Sequence, residues 1–218
     1  MKLWDAILDL LYPPKCAFCG KILPKHRCGA CEKCLDALEF TPPGGEKRGD
    51  FYTNCVSPLW YENEVRDSIL RYKFYGCAVY SGVYGQILAT RIDAEFAGKY
   101  DLLSWVPLHR RRERTRGYDQ SRLLAEEAGR RLGMPAVRLL EKHRATKQQS
   151  RLAKPEQRRA NISGAYRIHG SAELLLGKRV LLIDDILTTG ATLSECARVL
   201  RSAGAAEVLC ATLARTRK

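Results

Sequence analysis

The 218-residue sequence predicts an α/β domain: a mainly parallel twisted sheet flanked by helices, behind a small N-terminal metal-binding module. Three observations predict this. Strand-like and helical patterns alternate from residue 100 to 214, and such alternation builds parallel sheets with crossover helices. Five of the nine cysteines crowd between Cys16 and Cys34. The Pro-, Gly- and charge-rich stretch TPPGGEKRGD at 41–50 then separates them from the rest, setting the units at 1–45 and 50–218. With 45% hydrophobic and 28% charged residues, wholesale disorder is excluded. No apolar run approaches the ~18 residues of a membrane helix, so no membrane insertion is expected.

In chain order, Leu3, Trp4, Ile7, Leu8 and Leu11 fall on one helical face and predict a short amphipathic helix. Asp5 and Asp9 interrupt that stretch, which is therefore not read as a secretory signal. A reducing cytoplasm is the expected location, where disulfides are disfavoured. In C-A-F-C-G at 16–20, two thiolates three apart can share an ion, and Gly20 lets the backbone turn toward the sulfurs. The second pair is Cys28/Cys31 or Cys31/Cys34. The latter is preferred, because Cys34 leads into the apolar helical start CLDALEF. Cys16, Cys19, Cys31 and Cys34 then fill all four positions of a structural zinc. Cys55, Cys77, Cys196 and Cys210 are expected to be small buried side chains.

Beyond the linker, CVSPLWY (55–61) predicts a strand and 62–74 a helix ending near Gly76. A longer helix is expected over 79–97, then a strand, LLSWVP (102–107), cut off by Pro107. Residues 118–132 carry helical period and stop at Gly133, and VRLL (137–140) reads as a strand. The stretch 141–160 is polar, basic and aperiodic. NISGAYRI (161–168) and RVLLI (179–183) read as strands, 191–203 as a helix ending at Gly204, and EVLCATLA (207–214) as the last strand.

Charge is concentrated. Of the formal +13, residues 110–116 (RRRERTR) hold five Arg against one Glu, a net +4. Residues 138–159 hold eight Lys or Arg against two Glu, a net +6. Both segments read as loops, and charge gathered this way predicts an anionic partner, a phosphate ester or nucleic acid.

The segment R-V-L-L-I-D-D-I-L-T-T-G-A-T-L (179–193) carries the chemistry. A buried strand ends in Asp184 and Asp185, followed by a Thr/Gly turn and a helix. Ligands of open α/β sheets bind at the carboxyl ends of strands. Thr188, Thr189, Gly190, Ala191 and Thr192 would turn N–H groups and hydroxyls toward an anion, with the positive end of the next helix behind them. Two carboxylates would repel that anion, so they must face sugar hydroxyls or a metal. A strand ending in Asp-Asp also occurs in P-loop NTPases, but no G-x-x-x-x-G-K-[ST] loop is present.

This segment resembles the phosphoribosyl-diphosphate (PRPP) motif of type I phosphoribosyltransferases: apolar run, Asp-Asp, two residues, Thr-Thr-Gly-x-Thr. SWVPLHRRRERTRGYDQSRLLA (104–125), TKQQSRL (146–152), RRANISGAY (158–166) and the N-terminal Cys pairs are similar to the ComF family. That family joins a zinc module to a phosphoribosyltransferase-like domain and is linked with natural competence. One departure is Asp119, where the family usually carries Asn; the carboxylate would add negative charge beside the diphosphate loop.

The resemblance implies that 188–192 hold the 5-phosphate while Asp184 and Asp185 hold the ribose hydroxyls. Arg114, Arg116 and Gly117, in the turn after a strand, would meet the diphosphate together with Mg²⁺. The 141–160 segment corresponds to a mobile hood, in which Arg144, Gln149, Arg158 and Asn161 match family positions. No general base stands out; His109 and His143 are the available histidines. Two functions follow: PRPP-dependent transfer to an unidentified acceptor, or a non-catalytic competence factor holding single-stranded DNA or a protein partner. Aromatic residues for base stacking are sparse, Tyr118 and Tyr166 flanking the basic stretches.

Overall fold

The structure, a computed structural model, describes residues 13–24, 29–44, 48–146 and 155–217. The expected N-terminal helix, Cys28 and Gln149 lie outside them. The elements are α1 (Glu32–Asp36), β1 (Asn54–Val56), β2 (Leu59–Trp60), α2 (Asn63–Phe74), α3 (Ser81–Phe96), β3 (Leu102–Trp105) and α4 (Arg110–Arg116). There follow α5 (Gln120–Leu132), β4 (Leu140–Lys142), α6 (Pro155–Ile162), β5 (Tyr166–Ile168), β6 (Arg179–Leu187), α7 (Ala191–Ser202) and β7 (Glu207–Arg215).

The main sheet runs β1, β7, β6, β3, with β2 continuing the β1 edge along β7, and every pairing is parallel. Side chains alternate along β6: Leu181 and Ile183 enter one core, Val180 and Leu182 the other. A strand buried on both faces must be apolar there, which is why residues 180–183 (VLLI) carry no polar side chain, while Arg179 at the strand's start is only half-buried and pairs with Asp101. Tyr72, Tyr84, Leu88, Ile92 and Leu124 from α2, α3 and α5 fill the first core. Ile162, Cys196 and Leu200 from α6 and α7 fill the second. Leu88, Ile92 and Leu124 are fully buried, each contributing ~1.5–3 kcal/mol of transfer free energy. Helices α3 and α5 approach so closely that a Cβ on Gly85 would lie 2.4 Å from Glu127 Cγ and 3.1 Å from the Ala128 nitrogen.

Six expectations change. The strand foreseen over 55–61 is two strands, because Pro58 between them has no N–H for the ladder. The 107–117 turn contains a helix, α4: His109 Nδ1 caps it by accepting from the Arg111 N–H at 3.2 Å, and Gly117, at φ 86°, ends it. Of VRLL only Leu140 joins a strand; upstream, Ala136 bridges Leu103 at the sheet edge. The supposed aperiodic stretch ends in α6, whose polar residues show no apolar stripe but which begins at a proline, a residue suited to a first helical turn. Asn161 and Ile162 finish that helix, leaving only 166–168 of NISGAYRI as β5, paired antiparallel with β4. Finally, β6 continues past the two aspartates to Leu187.

The cysteine module shares the first core through Cys16, Ala17, Phe18, Leu23 and Ala30. Its Cys16–Gly20 turn is held from α2: Ser68 Oγ donates to the Ala17 carbonyl at 2.5 Å, and Arg71 Nη2 to the Ala17 and Phe18 carbonyls at 2.8 and 2.6 Å. Cys55, Cys196 and Cys210 are buried as expected, whereas Cys77 is half-exposed. No helix among the described residues is long and apolar enough to cross a membrane.

Candidate functional site

β3 stops opposite Ile183, so the last residues of β6 have one edge facing no strand. The start of α5 fills it. Ser121 Oγ donates to Asp184 Oδ1 at 2.8 Å, and Gln120 Nε2 donates to Asp185 Oδ2 at 2.8 Å. Strand alternation would send neighbouring side chains to opposite faces, yet both carboxylates line one cavity of about 380 Å³. The aspartates are thus inside the strand rather than at its exit, and the missing neighbour is what gives the cavity access to both. Burial, and then the adjacent Asp185 charge, push the Asp184 carboxyl up to about 7. Asp185 is buried, and its Oδ1 pairs with Lys73 Nζ at 2.9 Å.

Thr188, Thr189, Gly190, Ala191 and Thr192 line the same cavity. Gly190 sits at φ +76°, and a Cβ there would lie 2.7 Å from Tyr52 Oη. Only glycine makes this turn without strain. The twelve-residue α7 then starts at Ala191. Its first N–H groups have no intrahelical acceptor and carry the positive end of the helix dipole, so the loop is a ready anion cradle.

Cations close the cavity: Lys73, Arg112, Arg116, Lys142 and Arg158 all line it. Burial lowers the Arg116 pKa; its guanidinium donates to Gln120 Oε1 and lies 5.0 Å from the Phe74 ring centroid. Lys142 is buried on β4 with its Nζ 4.9 Å from the Tyr166 ring centroid, and burial holds it down at about 8. Among the described residues, five cations against two carboxylates suit a polyanion that also carries hydroxyls.

Of the expected anion-binding residues, Arg116 and Arg158 therefore join the Asp184–Thr192 segment. Arg114 is exposed on α4 and Gly117 is that helix's cap; neither lines the cavity. Arg144 lies outside too, its Nη2 donating to the Asn161 and Ser163 carbonyls at 3.2 and 2.6 Å, which ties α6 to the β4 end. Asn161 enters through that carbonyl. Lys73, Gln120, Ser121, Arg112 and Lys142 were not foreseen. Helical spacing puts Arg112 and Arg116 on one face of a seven-residue helix, so recognising α4 would have exchanged Arg114 for Arg112. No local signal marks Lys73, which comes from a helix over a hundred residues before the aspartates.

Asp119 does not add charge to the cavity. It is buried and caps α5, accepting from the Ser121 and Arg122 N–H groups at 3.1 and 3.2 Å and from the Leu108 N–H at 2.8 Å. Burial pushes its carboxyl up to about 6 despite these donors.

A second cavity of about 470 Å³ adjoins the first and shares Lys73, Phe74, Arg112 and Arg116 with it. Among the described residues, His109, Arg111, Thr115, Ala145 and Thr146 make up the rest of its lining, and none of the lining residues is a carboxylate.

At the other end, the Sγ atoms of Cys16, Cys19, Cys31 and Cys34 all lie within 4.8 Å of one another. Burial pushes the Cys16 thiol up, but the N–H groups of Cys19, Cys31 and Phe18 outweigh it and bring it to about 6. Burial, and the hydrogen bonds its S–H donates to the sulfurs of Cys31, Cys19 and Cys16, push the Cys34 thiol up. Four converging thiols, one favoured as thiolate, fit a tetrahedral Cys₄ zinc that these residues would hold.

Two family models match the chain: a phosphoribosyl transferase domain over residues 119–218 and a double zinc ribbon domain over residues 7–49. Competence protein F of Haemophilus influenzae is 34% identical over 92% of this chain and 96% of that protein. Competence protein ComFC of Bacillus subtilis is 32% identical over 92% of this chain and 78% of its own length. DNA utilization protein YhgH of Escherichia coli O157:H7 is 36% identical over 52% of this chain and 50% of that one. A zinc ribbon with a structural zinc therefore precedes a type I phosphoribosyltransferase fold, and the chain belongs to the ComF family.

Proposed function

We propose that this protein binds PRPP in the Asp184–Thr192 cavity and transfers its ribose 5-phosphate to an acceptor, in support of competence or DNA utilization, the roles its relatives' names carry. One observation carries the reading. A phosphate cradle, a carboxylate pair and five cations line a single cavity, the three recognition elements that a phosphorylated sugar diphosphate requires. Thr188, Thr189, Gly190, Ala191 and Thr192 take the 5-phosphate. Asp184 and Asp185 take the ribose hydroxyls, and Arg112, Arg116 and Lys142 meet the diphosphate.

In the transfer step, the acceptor's lone pair forms a bond to the ribose C1. The C1–O bond to diphosphate breaks, its electron pair leaves with the diphosphate, and the acceptor's proton passes to water. Mg²⁺ carried by the diphosphate would supply charge neutralisation, and Asp184, the carboxylate not paired with Lys73, would face it. Arg116 and Arg112 hold the departing charge in a partly dry cavity, where such interactions are stronger than in water. Cytoplasmic location belongs to this reading, because a Cys₄ zinc site needs reduced thiols.

A panel of nucleobases and small amines, with PRPP, Mg²⁺ and diphosphate release as the readout, tests the transfer. Release faster than from the Asp184→Asn/Asp185→Asn protein supports it. Equal rates across the panel sink the catalytic step.

The second reading, a non-catalytic factor for single-stranded DNA, is favoured by Arg110, Arg111 and Arg114, which are exposed on α4 outside the first cavity. It predicts affinity that falls steeply with salt and weakens in Arg110→Ala/Arg111→Ala/Arg114→Ala. Unchanged affinity in that variant removes this role from α4.

A further inference from the structure

We infer that Lys73 is a latch on Asp185 that makes the site select a sugar phosphate bearing a diphosphate over the same sugar phosphate without one. The inference rests on the PRPP reading and concerns how that site discriminates among its ligands.

Both oxygens of the buried Asp185 are engaged: Oδ1 by Lys73 Nζ at 2.9 Å and Oδ2 by Gln120 Nε2 at 2.8 Å. Each oxygen thus already has a strong donor, and on this inference a ribose hydroxyl takes this buried carboxylate by displacing one of them. Gln120 is the harder to move, because its own Oε1 accepts from the half-buried Arg116. Lys73 is the movable donor, an ammonium on a flexible four-carbon stem whose residue lines both cavities.

The charge on a displaced Lys73 needs a new partner. Among the described residues, the charged lining of the second cavity is like charge, Arg111, Arg112 and Arg116, with no carboxylate. A phosphoryl group of the ligand would provide the missing anion. PRPP brings such a group on C1, so Lys73 moves from carboxylate to diphosphate as the hydroxyls take its place. Ribose 5-phosphate brings nothing to receive Lys73 and meets an occupied Asp185. The sugar and diphosphate subsites are thereby coupled: filling one favours filling the other, as linkage requires.

Calorimetric titration of the full zinc-loaded chain, at one fixed Mg²⁺ concentration, tests this with ribose 5-phosphate and inorganic diphosphate as probes. In wild type, saturating diphosphate should tighten ribose 5-phosphate binding about tenfold, within the usual range for coupled sites. In Lys73→Met, ribose 5-phosphate alone should bind about threefold or more tighter than in wild type, PRPP should bind weaker, and the coupling should vanish. Lys73→Arg should retain it. If Lys73 merely touches the diphosphate, Lys73→Met weakens PRPP while ribose 5-phosphate affinity stays the same or falls, and wild type shows no coupling; that result overturns the latch. The coupling measurement in wild type decides the matter even if the methionine variant does not fold. Ribose 5-phosphate that binds without coupling sinks the latch alone, whereas failure of PRPP and ribose 5-phosphate alike to bind wild type overturns the PRPP reading as well.

Discussion

Replacing Arg71 by Met should detach the cysteine turn from α2, and the size of the effect can be worked out. Arg71 Nη2 supplies charge-assisted hydrogen bonds to the Ala17 and Phe18 carbonyls, in residues 0% and 3% exposed. Such bonds contribute ~1.5–3 kcal/mol each. Ala17 keeps Ser68 Oγ as a donor and Phe18 keeps none from α2, so the net loss is nearer 2 than 5, about 2–3 kcal/mol. With a urea slope of about 3 kcal/mol/M for a chain of this size, the midpoint should fall by about 0.7–1 M. The assay is urea unfolding with excess zinc and reductant, followed by tryptophan fluorescence. Arg66→Met on the same helix is the control. Its pair with Asp67 is exposed at 55% and 59%, and such pairs are worth ~0–1 kcal/mol. A shift for Arg71→Met no larger than the control's refutes the docking role.

Gly190→Ala should destabilise the protein by ~1–3 kcal/mol, the cost of a non-glycine residue at φ +76°, and should weaken PRPP binding in the same titration. A variant as stable and as tight as wild type removes the loop's special geometry. Cys16→Ser should lose about one zinc equivalent per chain by metal analysis; retained metal contradicts the cluster. Lys142, held at about 8 against 10.5 ordinarily, loses its native-state charge as pH rises through 8. PRPP affinity should therefore drop about tenfold from pH 7 to 9, and Lys142→Arg should flatten the curve. The same depression contributes stability that is present above about 10.5 and lost as pH falls through 8. Identical pH profiles in the two proteins rule Lys142 out as an anion contact.

The sheet is legible because double-sided burial leaves stretches such as 180–183 wholly apolar, and crossover helices leave caps: Gly133 after α5 and Gly190 before α7. The 188–192 turn is legible because its geometry is local, a glycine at positive φ entering a helix. What escaped was tertiary. Nothing near Lys73 in sequence announces Asp185, since the pairing depends on how α2 lies over the sheet. Helix α4 is hidden in the sequence because five arginines mask its periodicity, although His109 and Gly117 are its cap and stop. Arg144, expected at the ligand, donates instead to the backbone carbonyls of Asn161 and Ser163 at the end of α6, a contact that no sequence pattern announces. Asp119 looked like a misplaced charge, and it is a helix cap whose carboxylate faces three N–H donors.

On the proposed reading, Asp184, Asp185 and the 188–192 loop form a PRPP site. Calorimetric titration of PRPP into wild type and into Asp184→Asn/Asp185→Asn is the most direct measurement. Hydrogen bonds to charged acceptors contribute ~1.5–3 kcal/mol each. Wild type should therefore bind one PRPP per chain, and the double variant at least about 100-fold more weakly. Equal affinity in the two proteins, or no saturable binding to wild type, would contradict it.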